Sequence, residues 1–308
     1  MNTDEKKPMI CDPETGVCEI PSIEPAIQDV VTREKSDKPI RIVYYTDPIC
    51  SSCWGIEPQL RKLKLEYGHL FNFEYRMGGL LPNWNYNSGG INKPEDVAHH
   101  WDEASHHYQM PIDGDVWLED PLHSSYPPSI AFKAAQMQDG EKAIGFLRRL
   151  RELLFVEKKN ITKWEYIAQA GTDAQLDMDQ LKKDYTNGKA ETLFQEDLAL
   201  GREFGVRGFP SIFFVDRKGN QEFVYGSKSY KDYELALKKL LPIHMQNHYY
   251  KSWENLFTYY SSFTVKEFSV LSEVSLDQAQ QLLDGLAQQG KLKLSATKNG
   301  NLYHVKRL

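Results

Sequence analysis

The sequence predicts an α/β protein in which two strand-bearing units flank a long helical insertion. Three observations carry this. A strand, a helix and a second strand follow one another between residues 41 and 77. A hairpin and a helix follow between residues 205 and 241. The intervening block, residues 94–200, reads as predominantly helical. A β-α-β unit and a β-β-α unit therefore flank a long helical insertion, and a separate small unit closes the chain.

Taken in order, residues 1–38 carry nine acids and five bases, several prolines and no hydrophobic period. They read as a tail, ordered only where something pins it. Arg41–Thr46 is a β-branched and aromatic run, hence a strand, and Asp47-Pro48 breaks it. From Cys53, apolar Trp54, Ile56, Leu60, Leu63 and Tyr67 recur at helical spacing up to Gly68. His69–Met77 alternates with a period of two and reads as a second strand, parallel to the first across the helix. Gly78–Lys93 is a Gly/Asn/Pro-rich loop. Helices are expected at Ser129–Met137, Glu141–Phe155, Ile161–Ala170, Leu176–Thr186 and Ala190–Phe204, with Pro121, Pro127 and Pro128 interrupting the block. Ser211–Val215, a turn at Asp216–Gly219 and Gln221–Tyr225 make the hairpin, followed by a helix over Ser229–Leu241. After residue 250 come helices at Glu254–Tyr260, Val265–Ser272 and Ser275–Gly290, then strands at Lys291–Thr297 and Asn301–Lys306 around Asn299-Gly300. Three short helices and a two-stranded wing make a winged-helix-like module. The expected domains are thus a tail over 1–38, a main domain over 39–242 and the module over 250–308.

Composition narrows the function. Among 308 residues, 41% are apolar and 26% charged, enough for a real core and against wholesale disorder. A net charge of −6 disfavours a broad nucleic-acid surface. No apolar run approaches the ~18–20 residues of a membrane span, and no apolar signal segment opens the chain. The expected location is the cytosol. The four cysteines, Cys11, Cys18, Cys50 and Cys53, are too few to staple a chain this long and read as redox or metal chemistry.

The chemistry centres on Cys50-Ser-Ser-Cys53, where the first strand gives way to a helix. A helix N-terminus offers free N–H groups and partial positive charge, so Cys50 is expected to titrate below a free thiol. Its thiolate would attack a disulfide, and Cys53 is spaced to resolve the mixed product. Half of a zinc site and a pair of inert buried thiols are the alternatives; zinc usually wants four ligands, and no partner motif follows. Phe209-Pro210, just before the second unit's first strand, reads as a cis peptide in a tight turn that leaves backbone free for an extended client to pair with.

Three motifs in order, Asp47-Pro-Ile-Cys-Ser-Ser-Cys-Trp54, Ser125-Tyr-Pro-Pro-Ser-Ile-Ala-Phe-Lys-Ala-Ala135 and Gly205-Val-Arg-Gly-Phe-Pro210, resemble the DsbA family over residues 39–242, and within it the cytosolic FrnE-like branch. The resemblance implies a thioredoxin fold with a large helical insertion, Cys50 as nucleophile, Cys53 as resolving thiol, and Pro210 as the cis-proline of a client groove beside Phe209 and Trp54. It implies no cofactor beyond a redox-active disulfide. Ser51-Ser52 departs from the Pro-His that secreted oxidases often carry, which puts a strongly oxidising potential in doubt. Gly114–Trp117, Phe146–Thr162 and the C-terminal unit are similar to another branch, a cytosolic adaptor that delivers the transcription regulator Spx to the Clp protease.

Three further features are weaker. Cys11 and Cys18 bracket a segment with Asp12-Pro13 and Gly16, where a turn would bring them within bridging range as a second redox pair; unrelated tail thiols or a metal site are the alternatives. His99, His100, His106 and His107 sit with Glu103 on one predicted helix. Histidines seven apart are about 10 Å from each other, too far to share one metal without Glu103 as a bridge, so a solvated face is expected there; a metal or pH-sensitive patch is the alternative. Ser275–Gly290 carries Asp277 and Asp284 and no Lys or Arg, which argues against DNA. The basic wing (Lys291, Lys293, Lys298, Lys306, Arg307) suits an acidic partner instead. The function expected first is thiol–disulfide exchange on protein or small thiol substrates; the alternative is an adaptor, non-catalytic or redox-sensing.

Overall fold

The computed structural model describes residues 38–85, 91, 93–241 and 246–305, together with the backbone of 11–12 and 17–19. Two short strands, β1 (Cys11–Asp12) and β2 (Val17–Glu19), precede β3 (Ile40–Thr46). Then come α1 (Ser51–Gly55), α2 (Glu57–Tyr67) and β4 (Phe71–Met77). β3 and β4 run parallel, from Ile40 opposite Phe71 to Thr46 opposite Met77, as the β-α-β pattern predicts. The single helix expected between them is two. Pro58 has no N–H to give the Trp54 carbonyl, so the helical ladder breaks at Ile56 and restarts.

The insertion comprises α3 (Pro94–Tyr108), α4 (Val116–Glu119), α5 (Tyr126–Gln138), α6 (Gly140–Phe155), α7 (Trp164–Asp173), α8 (Met178–Thr186) and α9 (Lys189–Glu203). Pro127 and Pro128 fall in the first turn of α5, where a missing N–H costs nothing. α8 starts two residues later than expected because Asp177 caps it, accepting the Gln180 N–H at 2.9 Å. The insertion is tied to the sheet by the wholly buried Asp197 of α9. Its carboxylate accepts the Met77 N–H at 3.0 Å and pairs with Arg76 and Lys133, each at 2.8 Å.

The chain returns through β5 (Gly208–Phe209), β6 (Ser211–Asp216), β7 (Gln221–Tyr225) and α10 (Tyr230–Leu240). The main sheet has the order β4-β3-β6-β7, with β6 antiparallel to both its neighbours. β1, β2 and β5 form a second, small sheet.

The C-terminal unit is α11 (Trp253–Tyr259), β8 (Ser262–Thr264), α12 (Val265–Ser272), α13 (Leu276–Gln288), β9 (Leu292–Thr297) and β10 (Gly300–Val305). β8 pairs with β10, so the expected two-stranded wing is a three-stranded sheet. Its own core gathers Phe263, Phe268, Leu271, Leu283 and Tyr303. Buried charge bolts it to the main body. Glu267, fully buried, takes both N–H groups of the Arg148 fork at 2.7 and 3.0 Å and lies 3.3 Å from Arg61. Arg61 also donates to the Ser262 carbonyl at 2.8 Å and stacks 4.3 Å above the Tyr260 ring. Among the described residues no helix is long and apolar enough to cross a membrane.

Candidate dithiol site

The site begins where β3 ends. Asp47 is fully buried, and its carboxylate accepts the N–H of Ile49 at 3.0 Å, the N–H of Leu80 at 2.8 Å and the Ser125 hydroxyl at 2.9 Å. This fixes the turn that delivers Cys50. Burial is the larger influence on Asp47 and raises it to about 6 against the hydrogen bonds.

Cys50 is the N-cap of α1, its Sγ accepting the Cys53 N–H at 3.1 Å. Both cysteines are fully buried, with 0% exposure. Burial pushes the Cys50 thiol well above the ordinary range, and the hydrogen bond it gives Cys53 adds to this. Burial also acts on Cys53. There the Cys50 hydrogen bond, the Arg151 guanidinium and the Thr46 and Tyr44 hydroxyls outweigh it and hold the thiol below its ordinary value. At Cys50 burial thus opposes the lowering expected from the helix N-terminus. A five-residue helix at a fully desolvated sulfur does not offset the lost hydration.

Arg151 is the residue that sequence reasoning missed. It reaches from α6 with its side chain 1% exposed, donating to Thr46 Oγ1 at 2.6 Å, to the Asp47 carbonyl at 3.2 Å and to Glu57 at 2.7 Å. A signal was present, since Arg151 shares the Leu147, Leu150 and Leu154 face of its helix. A cation among core leucines needs a buried partner.

The Phe209–Pro210 peptide is cis. Ser211 is registered opposite Tyr45, so Pro210 comes level with Thr46, at the end of the sheet that feeds Cys50. Two expected client contacts need correction. Trp54 is fully buried, donates its indole N–H to the Pro111 carbonyl at 3.0 Å, stacks on Phe155 at 5.6 Å and carries Arg148 at 4.3 Å over its ring. Phe209 is also fully buried, packed where only a glycine fits: a Cβ on Gly78 would lie 1.8 Å from its ring. Both side chains build the site's frame and neither faces a groove.

The backbone sets Cys11 opposite Cys18 on β1 and β2, and sets Cys18 opposite Phe209 of β5. The side chains of Cys11 and Cys18, and residues 13–16 of the expected turn, lie outside the described residues. Elsewhere, Glu103 lies 3.1 Å from His99 and 3.8 Å from His100, and among the described residues no three metal-ligating groups come together. Lys298 of the basic wing finds acids in its own chain, Asp102 at 2.7 Å and Asp115 at 2.6 Å. Lys306 and Arg307 lie outside the described residues.

A family model described as thioredoxin matches residues 44–235. The chain is 34% identical over 300 residues to the ClpXP adapter protein SpxH of Halalkalibacterium halodurans, covering 95% of this chain and 96% of that one. It is 31% identical over 267 residues to the protein of the same name from Bacillus subtilis, covering 85% and 88%. Among solved structures, the fold is similar to the cytosolic disulfide reductase DsbM from Pseudomonas aeruginosa (TM-score 0.50, 20% identity, 65% of this chain and 94% of that one). It is similar also to a "probable DsbA oxidoreductase" from Streptomyces coelicolor (TM-score 0.51, 13% identity, 70% and 97%). The chain belongs to the thioredoxin family, and within it to the group of relatives that carry the name ClpXP adapter protein SpxH.

Proposed function

We propose that this protein is a cytosolic adaptor that presents the regulator Spx to the ClpXP protease. The observation that carries the reading is the pairing of a closed dithiol site with a second unit fixed rigidly beside it. Cys50 is fully buried, an arrangement that gives disulfides from solution no open approach to its sulfur. The C-terminal unit is joined to the thioredoxin-like body by the buried Glu267 junction, which suits a scaffold that must hold two partners in a fixed relation. The coverage of the comparisons agrees: the disulfide reductase accounts for 65% of this chain, the adapter of H. halodurans for 95%.

The test is a degradation assay with purified ClpXP and Spx. Added protein should accelerate loss of Spx several-fold, and an unchanged rate refutes the reading. Thiol–disulfide exchange is the second reading, favoured by the intact Cys50/Cys53 pair beside Pro210. Reduction of insulin disulfides that is lost in Cys50→Ser would support it, and no turnover by the unmodified protein would remove it.

A further inference from the structure

The amino-terminal hairpin has no part in that reading. Its strands set Cys11 opposite Cys18. Directly opposed residues of an antiparallel pair have Cα atoms about 4.5–5.5 Å apart, inside the range of about 4.4–6.8 Å over which a disulfide closes without backbone movement. The hairpin therefore holds its two cysteines at bridging distance. Its inner strand, β2, is paired to β5 with Cys18 opposite Phe209 and Glu19 opposite Gly208. That is the backbone leading into Pro210, level with the end of β3 and the Cys50 turn. A strand edge beside a reactive group is where an extended peptide adds as a further strand. Here the chain's own β2 takes the place. Because Cys50 is fully buried, a disulfide arriving from solution must first reach this edge, whereas β2 is already paired there.

We propose that Cys11 and Cys18 form a second thiol–disulfide pair, docked at the Cys50/Cys53 site by strand addition, and that the two pairs exchange electrons within one chain. In one direction the Cys50 sulfur, having released its proton, attacks Cys18 of the hairpin disulfide. A Cys18–Cys50 bond forms, the Cys11–Cys18 bond breaks and Cys11 leaves as a thiolate. Cys53 then releases its proton and attacks Cys50, so that the Cys50–Cys53 bond forms and Cys18 leaves as a thiolate. Two electrons pass from the Cys50/Cys53 pair to the hairpin, and the two released protons end on Cys11 and Cys18. No outside oxidant or reductant takes part. The inference requires Cys50 and Cys53 to be competent for exchange, which the adaptor role does not.

The experiment uses the full chain carrying Cys11→Ser and Cys53→Ser, which leaves Cys18 and Cys50 as the only thiols. It is equilibrated in glutathione buffers of graded ratio, quenched in acid and mapped by mass spectrometry. The Cys18–Cys50 disulfide reports the effective concentration of one thiol at the other. A flexible tether alone supplies on the order of millimolar; a docked strand should exceed that by at least about tenfold. Adding Glu19→Pro removes a ladder N–H from the inner strand and should return the value to that of a tether. Equal values with and without Glu19→Pro, or no Cys18–Cys50 disulfide, overturn the proposal. A second measurement needs no variant. When the unmodified chain is approached from both sides, fully reduced chain given one equivalent of oxidant and fully oxidised chain given one equivalent of reductant, the ratio of Cys11–Cys18 to Cys50–Cys53 disulfide should converge on one value; ratios that stay different overturn the proposal. Neither assay contains protease or regulator, so failure of the adaptor reading leaves the result unaffected.

Discussion

Glu267→Gln should loosen the C-terminal unit from the main body. The Glu267 carboxylate caps α12 by accepting the Thr264 N–H at 2.8 Å, takes both N–H groups of Arg148 and lies 3.3 Å from Arg61. It has 0% exposure, and the two arginine side chains are 12% and 7% exposed, so water does not replace the lost partner. Glutamine keeps the shape and one acceptor oxygen for the cap. It removes the charge and turns a second acceptor into an NH₂ group facing guanidinium N–H. Breaking one side of a buried pair costs about 3–5 kcal/mol. Arg148 retains Glu152 at 2.8 Å and Arg61 retains the Ser262 carbonyl at 2.8 Å, which places the cost near the low end, about 3 kcal/mol. Urea unfolding read together with amide hydrogen exchange checks this. Exchange should accelerate across residues 253–305 while β3 and β6 stay protected. Lys239→Ala is the control: it breaks an exposed contact with Glu222 at 2.8 Å and should cost less than about 1 kcal/mol. A Glu267→Gln loss no larger than this control would refute the claim that the junction holds the unit in place.

The thiols give a second test. Far-ultraviolet thiolate absorbance followed against pH should show a thiol of the pair titrating below its ordinary value, and Arg151→Met should raise it, because the Cys50 hydrogen bond and the Arg151 guanidinium favour the anion at Cys53; an unchanged titration in Arg151→Met would refute the role given to the guanidinium. Gly78→Ala should destabilise by about 1–3 kcal/mol through overpacking, seen as a lowered urea midpoint, since the new methyl group meets the Phe209 ring. Asp47 makes stability fall as pH rises. Its folded value of about 6 exceeds the unfolded value near 3.8, so between these the folded state binds more protons. Asp47→Asn should abolish that slope while costing about 1–3 kcal/mol for a donor left facing a donor, and a slope that persists would assign it to another group. Glu152 has the opposite sign. Burial raises it, but Arg148, His304 and the Ser262 hydroxyl outweigh that and lower it to about 2. Its contribution is full above about 4.5 and is lost as pH falls toward 2, so acid titration of Glu152→Gln should be flatter there than that of the unmodified protein.

The sheet was legible because its strands combine β-branched and aromatic residues with short turns, and periods of two and of 3.6 alternate cleanly around Gly68. The first helix was misread as continuous because Trp54, Ile56, Leu60 and Leu63 keep their spacing across Pro58; apolar period reports which face is buried, whereas the break comes from one missing N–H. β8 escaped notice because a three-residue strand has too little pattern to separate it from the helix it caps. At the site, the dithiol and the proline were visible as spacing. The electrostatics of the pair were not, since they depend on how deeply Cys50 is buried and on Arg151, about a hundred residues away in the chain. Trp54 and Phe209 were assigned to a groove because an aromatic beside a reactive pair suits either a client or a core, and only three-dimensional packing separates the two.

Helix α6 links the dithiol to the C-terminal unit. Arg148 and Arg151 stand three residues apart, on one side of the helix. Arg151 closes over the Thr46–Asp47 turn that delivers the dithiol. Arg148, one turn earlier, lies against Trp54 of the Cys50 helix and grips Glu267 of the C-terminal unit. The dithiol and the added unit therefore share one rigid helix, with no loop between their anchor points. The same cations that fix the turn and the indole keep Trp54 buried. The contacts that bury Trp54 beside the cysteines therefore also fasten the second unit to the main body, so a substitution at Arg148 should disturb the dithiol frame and the junction together.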